Sequence, residues 1–137
     1  MSALPLLDDG LEKLAAGRPW VFRALGESMR GQITNGSLVT LLPLERPRIG
    51  DIVLAKQGEH MELHRAVWRR GSSWLLKGDR NLRIRGFERT ELLGRVVRIE
   101  YQGHVRDLTT PIARMRAILF TGLAWTPLLR QKLLSLF

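Results

Sequence analysis

Turn-forming residues recur along this sequence at short intervals, and they separate apolar runs that are too short to be typical helices. Turns are predicted at Asn35-Gly36, Gly58-Glu59, Gly71-Ser72 and Gln102-Gly103. Strands are predicted at Trp20–Leu25, Leu38–Leu42, Ile52–Ala55, Met61–Trp68, Ser73–Lys77 and within Glu91–Tyr101, with a last short strand after Gly103. Turns at this spacing are typical of an all-β domain, so we expect a mainly β fold of antiparallel, coiled sheets.

The two ends of the chain break this pattern. Leu6 to Ala16 has its apolar side chains on one face and predicts a short N-terminal helix, and Pro111 opens a helical tail that Pro127 breaks or kinks. The length of 137 residues is that of one domain with a modest core. We therefore expect three segments: an N-terminal helix and lead-in strand (1–25), a β domain (26–108) and a basic, apolar helical tail (109–137).

The charge of the chain favours anionic partners. Lys and Arg number 22 against 13 Asp and Glu, which gives a net charge of +9. A surplus of this size suits either nucleic acid or an acidic membrane surface. After Asp107 the sequence contains no acidic residue, and a basic, apolar tail is more typical of a membrane-surface element than of a nucleic-acid reader. We therefore expect this tail to contact a membrane surface, and we favour that partner over nucleic acid.

The sequence shows no cleavable signal and no clear transmembrane helix. Its first 25 residues contain Asp8, Asp9 and Glu12, and no apolar run reaches about twenty residues. These features predict a membrane-associated or cytoplasmic protein. The chain has no Cys and three scattered His residues, so we expect neither a metal nor another cofactor.

Short motifs follow one another through the central part of the chain. They are Gly26-Glu27-Ser28-Met29, Gly50-Asp51-Ile52-Val53, His64-Arg65-Ala66-Val67, Lys77-Gly78-Asp79-Arg80-Asn81 and Gly94-Arg95-Val96-Val97. Their order resembles the signal peptidase I superfamily, whose more distant members include the self-cleaving repressors of the SOS response. In that superfamily the general base is Lys in most bacterial members and His in the endoplasmic-reticulum and spore-former branch. The string that begins at His64 is similar to the His branch, and the resemblance covers about residues 26–99.

The resemblance and the chemistry of the residues together predict a serine endopeptidase that cleaves leader or signal peptides. Ser28 would be the nucleophile and His64 the general base, because a serine hydroxyl needs a positioned base and an imidazole titrates near neutral pH. Asp79 could hold the second imidazole nitrogen. By resemblance, an extended peptide or protein precursor would pair with a strand edge beside Ser28, and Gly26, Met29 and Ile33 are the candidate substrate-binding residues.

Departures from the family pattern leave other readings open. The usual Pro after the Met is Gly31 here, and Arg85 stands in the stretch where the His branch has a second Asp, which leaves the third catalytic member open. A catalytically inactive peptide-binding module is therefore one alternative. A DNA-linked, self-cleaving regulator is another, although the segment before Gly26 is too short for a helix-turn-helix domain. His60, Lys56 and Lys77 are rival bases, and Arg80, Arg83, Arg85 and Arg89 are expected to form a solvated loop.

Overall fold

The computed structural model of the protein describes residues 2–3, 7–26, 29, 32–79, 83–119 and 121–122, with backbone only at 2, 3, 7 and 8. The elements in chain order are β1 (Ser2–Ala3), α1 (Leu7–Ala15), β2 (Trp20–Leu25), β3 (Leu38–Pro43), β4 (Ile52–Gln57), β5 (His60–Arg70), β6 (Ser73–Lys77), β7 (Ile84–Glu88), a 3-10 helix (Arg89–Glu91), β8 (Leu92–Tyr101) and β9 (His104–Asp107). A second helix, α2, covers 111–119, and 121–122 are also helical. This order confirms the predicted fold class, which is mainly antiparallel β with a helix at each end.

The strands form one open sheet in the order β1-β2-β3-β8-β4-β5-β6-β7, with β9 paired to β8. Every pair of neighbours is antiparallel. Four strands separate β1 from β5 in this order, yet residues of the two strands approach within 8 Å between Cα atoms. The sheet therefore coils, and it brings the edge of β2 that carries β1 towards β5.

The predicted strands are confirmed, with shifts at their ends. β2 and β6 have the predicted bounds. The sequence gives no strand signal for β7, because Arg85, Gly86 and Glu88 leave Phe87 as its only buried residue. Its pairing with β6 supplies the missing stability, since Phe87 lies directly opposite the buried Trp74.

Four arginines were expected in a solvated loop: Arg80, Arg83, Arg85 and Arg89. That expectation is wrong for two of them. Arg85 lies on β7 and donates to Gln57 Oε1 at 2.9 Å. Arg89 donates to the backbone oxygen of Leu44 at 2.7 Å. Both guanidinium groups connect the β7 region to earlier strands, a long-range role that sequence pattern does not reveal. Arg80 lies outside the described residues.

Buried side chains cover both faces of the sheet. On β4, Ile52 and Leu54 belong to one core cluster, whereas Val53 and Ala55 belong to another. Successive residues of a strand point to opposite faces, so the two clusters lie on opposite sides of the sheet. This explains why β4 is apolar without alternation, and it makes β4 and its neighbour β5 a rigid mount for the candidate site.

Each of the two helices has a defined contact with the rest of the protein. In α1, Gly10 lies so close to the Trp20 ring that a side chain there would collide with it. In α2, Thr110 is the N-cap, since its Oγ1 accepts from the N–H of Ala113 at 3.1 Å. Pro111 then occupies the first helical position, as predicted. The predicted break at Pro127 lies outside the described residues. Within the described part of the chain, no helix is long and apolar enough to cross a membrane.

Candidate active site

The candidate nucleophile box begins at a glycine turn. Gly26 follows β2 with φ at +116°, a value that side-chain-bearing residues rarely adopt. Its N–H donates to Asn35 Oδ1 at 3.0 Å, which fixes the turn against the next loop. Ser28 lies outside the described residues, so its role as nucleophile stays a prediction. The turn chemistry that would expose it is present at Gly26.

Met29 anchors the box in the core. Its side chain is fully buried in the first core cluster, together with Ile33. The backbone oxygen of Met29 accepts from the N–H groups of Gln32 and Ile33, at 3.0 and 2.7 Å, so Met29 lies in a turn. Both predicted substrate-binding side chains are thus packed inside the protein. Any effect of Met29 or Ile33 on a bound peptide would act through the position of this turn.

A buried ion pair joins the loop after β6 to the strand that carries His64. Arg65 donates from Nε and Nη2 to the two carboxylate oxygens of Asp79, each at 2.8 Å, and from Nη1 to the backbone oxygen of Gly50 at 2.8 Å. The exposed fraction of the two side chains is 2% and 7%. The N–H of Asp79 also contacts Met29 Sδ at 3.3 Å. The chain neighbours of Ser28 and His64 therefore belong to one network.

His64 is buried on the opposite face of β5 from Arg65. It lies directly across from Val53 and shares the side of the second core cluster. Its Nε2 lies 3.4 Å from Glu62 Oε2. Its Nδ1 is buried, and among the described residues no group forms a hydrogen bond with it. The ring thus has one nitrogen turned to a carboxylate and one nitrogen available for a partner.

The surroundings of His64 favour the neutral ring. Burial is the largest cause and lowers the pKa of His64 from 6.5 to about 4, while the Glu62 carboxylate acts in the opposite direction. Glu62 also contacts His60 Nε2 and lies 3.5 Å from Arg85 Nη1. Burial raises the pKa of Glu62, but His60 and His64 outweigh burial and leave the pKa below its ordinary value. At neutral pH the imidazole is therefore an uncharged base beside an ionised carboxylate.

The two candidate partners of the imidazole have different positions. Both oxygens of Asp79, the predicted partner, accept from Arg65, and the role of Asp79 in catalysis stays a prediction. Glu62 is the carboxylate that lies beside the ring, and sequence reasoning missed it. The signal was present, since residues two apart on a strand share a face. The sequence could not predict that Arg65 pairs with both carboxylate oxygens of Asp79, because this contact joins residues that are far apart in the chain.

The structure also describes the surroundings of the three rival bases, Lys77, His60 and Lys56. Lys77 lies opposite Arg65 on β6, its side chain is buried, and its Nζ donates to the backbone oxygen of Gly78 at 3.1 Å. Burial lowers the pKa of Lys77. His60 is exposed at the start of β5, and Lys56 is half-buried on β4. Lys77 is thus the strongest rival, because it shares the face of Arg65 and Met29.

Neither a metal site nor a family match adds to this description. Among the residues that the structure describes, no three His, Asp or Glu side chains gather closely enough to hold a metal ion. Comparison of the chain with protein-family models and with curated proteins found no match. The resemblance to the signal peptidase I superfamily therefore rests on the motifs and their order in the sequence.

Proposed function

We propose that this protein is a serine endopeptidase of the signal peptidase type, with Ser28 as nucleophile and His64 as general base. The observation that carries the proposal is the network through Met29, Asp79 and Arg65. It holds the residue after Ser28 and the residue after His64 in one buried, charge-assisted arrangement. A neutral imidazole, whose Nδ1 has no hydrogen-bond partner in the described part of the chain, supports the role of His64 as a base.

The proposed reaction needs only groups of the chain and water. His64 takes the proton of Ser28 Oγ while Oγ bonds to the scissile carbonyl carbon, and backbone N–H groups stabilise the oxyanion. Collapse breaks the C–N bond, and the imidazolium gives its proton to the leaving amine. Water, deprotonated by His64, then hydrolyses the acyl ester and restores Ser28. Glu62, beside the ring, would stabilise the imidazolium in each half of the reaction.

A strand edge beside the candidate nucleophile suits an extended peptide. β2 ends at Leu25, three residues before Ser28, and β1 pairs antiparallel with it through Ser2 and Ala3. β1 also lies close to β5, the strand of His64. An extended segment of this chain thus already occupies the edge where a substrate would add by strand pairing. This supports a peptide substrate over a small molecule.

One observation favours a second candidate function, a peptide-binding module without turnover. Both oxygens of Asp79, the acid expected to orient the imidazole, are bound to Arg65. If Glu62 does not replace it, the base lacks an orienting partner, and catalysis would be weak. Peptide binding at the β2 edge would be unaffected. The two candidates therefore differ in turnover and agree on the ligand.

The test is cleavage of a synthetic signal peptide, with small residues before the cut, by the full chain in detergent. We expect wild-type protein to cleave it and Ser28→Ala to lose at least about 1,000-fold in kcat/KM, because the nucleophile is removed. Peptide binding, measured by fluorescence anisotropy, should persist in Ser28→Ala. Binding without cleavage in the wild type would favour the module.

The identity of the base needs a matched pair of variants. His64→Ala should lose activity to a similar extent as Ser28→Ala. Lys77→Met keeps the length of a buried side chain and should retain activity, provided that urea unfolding confirms a folded protein. The opposite pattern, with Lys77→Met inactive and His64→Ala active, would overturn the assignment of His64.

A further inference from the structure

The apolar side chains of the second helix, α2, face away from the core. Ile112, Met115, Ile118 and Leu119 are three or four residues apart and so share one face. Each has between 55% and 68% of its surface exposed. In a globular protein, such a stripe normally faces the core. We call these four side chains the apolar face of α2.

The opposite side of α2 fixes the helix to the sheet. Ala113 and Ala117 are less exposed than the apolar face, and Gly50 approaches so closely that a side chain there would lie 3.3 Å from the Cβ of Ala117. Arg114 Nη1 adds an ion pair with Asp51 Oδ1 at 3.2 Å. These contacts hold the side of α2 that carries Ala113 and Ala117 against the rest of the protein. The apolar face of α2 therefore points away from the protein as a consequence of packing.

A basic cavity of about 330 Å³ opens beside the helix. Its charged lining includes Arg48, Arg65, Arg106, Arg114 and Arg116, with Asp51 and Asp107. Arg65 is paired with Asp79, and Arg114 with Asp51. Within the described residues, neither Arg106 nor Arg116 forms an ion pair. Among the described residues, these two guanidinium groups therefore have no direct ion-pair contact with a carboxylate.

Arg106 and Arg116 lie close enough to affect each other. Arg106 donates to the backbone oxygen and to Oε1 of Gln32, at 2.9 and 2.7 Å, so its partners are neutral. Burial is the largest cause that lowers the pKa of Arg106, and the positive charge of Arg116 is the next. Arg116 is four residues after Ile112 and borders the apolar face of α2. A bound anion would relieve this repulsion.

We propose that α2 docks on the surface of an anionic lipid bilayer, with its apolar face in the interface and a headgroup phosphate between Arg106 and Arg116. Apolar side chains bordered by arginine are the signature of a helix that lies in the membrane surface. Guanidinium groups bind phosphate oxygens through paired, charge-assisted hydrogen bonds. The net charge of +9 complements an anionic surface. The proposal is independent of catalysis.

The test is co-sedimentation of the full chain with vesicles of phosphatidylcholine alone and of phosphatidylcholine with phosphatidylglycerol. We expect binding to the anionic vesicles, weakened by high salt, and little binding to the neutral ones. Ile112→Ser with Met115→Ser should reduce the affinity by about 100-fold, since each substitution removes an apolar side chain that the bilayer interface would bury. Arg116→Gln should reduce it by about fivefold.

Matched variants elsewhere are the controls. Val21→Ser removes an exposed apolar side chain from β2, and Arg70→Gln removes an exposed charge from the end of β5. Both should bind like the wild type. Equal losses in the controls, or equal binding to both vesicle types, would overturn the proposal.

Two other occupants would also contradict it. If glycerol 3-phosphate binds in an Arg116-dependent way while vesicles do not bind, the cavity is a site for soluble phosphate. If the wild type is a dimer by light scattering, and the double serine variant is a monomer, a second copy of this chain covers the apolar face.

Discussion

His64 combines two properties that seldom occur in one histidine: a buried ring, and a ring nitrogen, Nδ1, with no hydrogen-bond partner among the described residues. The exposed fraction of the residue is 4%, and the lost hydration lowers its pKa to about 4. A base with this pKa stays neutral through the whole neutral range. We therefore expect the acidic limb of a pH–rate profile to lie well below the 6.5 of an ordinary imidazole.

The same shift makes folding stability depend on pH. In the unfolded chain His64 binds a proton below about pH 6.5, whereas in the folded chain it does so only below about pH 4. The unfolded state therefore binds more protons between these values, and the free energy of unfolding falls as pH falls from 6.5 to 4. The loss attributable to His64 is about 3 kcal/mol.

Urea unfolding at several pH values measures this loss. His64→Gln should reduce the slope between pH 4 and 6.5, whereas His104→Gln, at an exposed position on β9, should keep it. Identical slopes in all three proteins would mean that burial of His64 does not disfavour its charged form.

Asp79 is predicted to matter for stability as well as for any catalysis. Its removal leaves the guanidinium of Arg65 buried without a counter-charge, so Asp79→Ala should lower the free energy of unfolding by about 3–5 kcal/mol. Lys13→Ala breaks the exposed ion pair with Asp9 and should change it by less than about 1 kcal/mol. If Asp79→Ala has the same free energy of unfolding as the wild type, the network that joins Met29 to β5 through Asp79 and Arg65 does not stabilise the protein.

At the scale of elements, β1 and a substrate would compete for one strand edge. Ala24 exchanges backbone hydrogen bonds with Gly36 and Ser37, so Leu25 directs its N–H and C=O to the opposite edge, towards Ser2. Ser2→Pro removes the backbone donor of this pair, while Ser2→Ala keeps it. If the edge binds substrate, Ser2→Pro should lower KM by about fivefold, the equivalent of one hydrogen bond.

Steady-state kinetics with the signal peptide separates the variants. Ser2→Ala should match the wild type, and kcat should be similar in all three proteins, because β1 contributes no catalytic group. A higher KM in Ser2→Pro would mean that β1 supports the site and does not block it.

The sequence predicts an element well when the element's own residues define it, and poorly when a partner strand defines it. β2 and β6 have the predicted bounds because turn residues and apolar runs define both ends. β7 escapes prediction because its place in the sheet comes from β6 and not from its own residues. The start of α2 is predicted because Pro111 at the first helical position is a local signal.

In the candidate site, too, some features can be predicted from local motifs and others depend on contacts between distant segments. The motifs predict that Ser28, His64 and Asp79 form one site, and this stays a prediction. Met29, the residue after Ser28, contacts Asp79. The pairing of Asp79 with Arg65 and the position of Glu62 beside His64 depend on how two strands and a loop meet. No local pattern carries that information.

At the scale of the whole molecule, the coil of the sheet is what makes a site possible. Strands that are far apart in the sheet order, β1 and β5, come together, and the turn after β2 meets the loop after β6. On another side, α2 presents its apolar face next to a basic cavity. The peptide edge proposed at β2 and the lipid contact proposed for α2 would together suit an enzyme that processes precursors at a membrane surface.

In the proposed mechanism, Ser28 forms an acyl-enzyme. The most direct measurement is the intact mass of the protein after it is mixed with a peptide ester that has small residues before the scissile bond, followed by peptide mapping. We predict an acyl adduct on Ser28 in the wild type, no adduct in Ser28→Ala, and a burst of released alcohol equal to the enzyme concentration. An adduct on another residue, or hydrolysis that proceeds equally in Ser28→Ala, would contradict it.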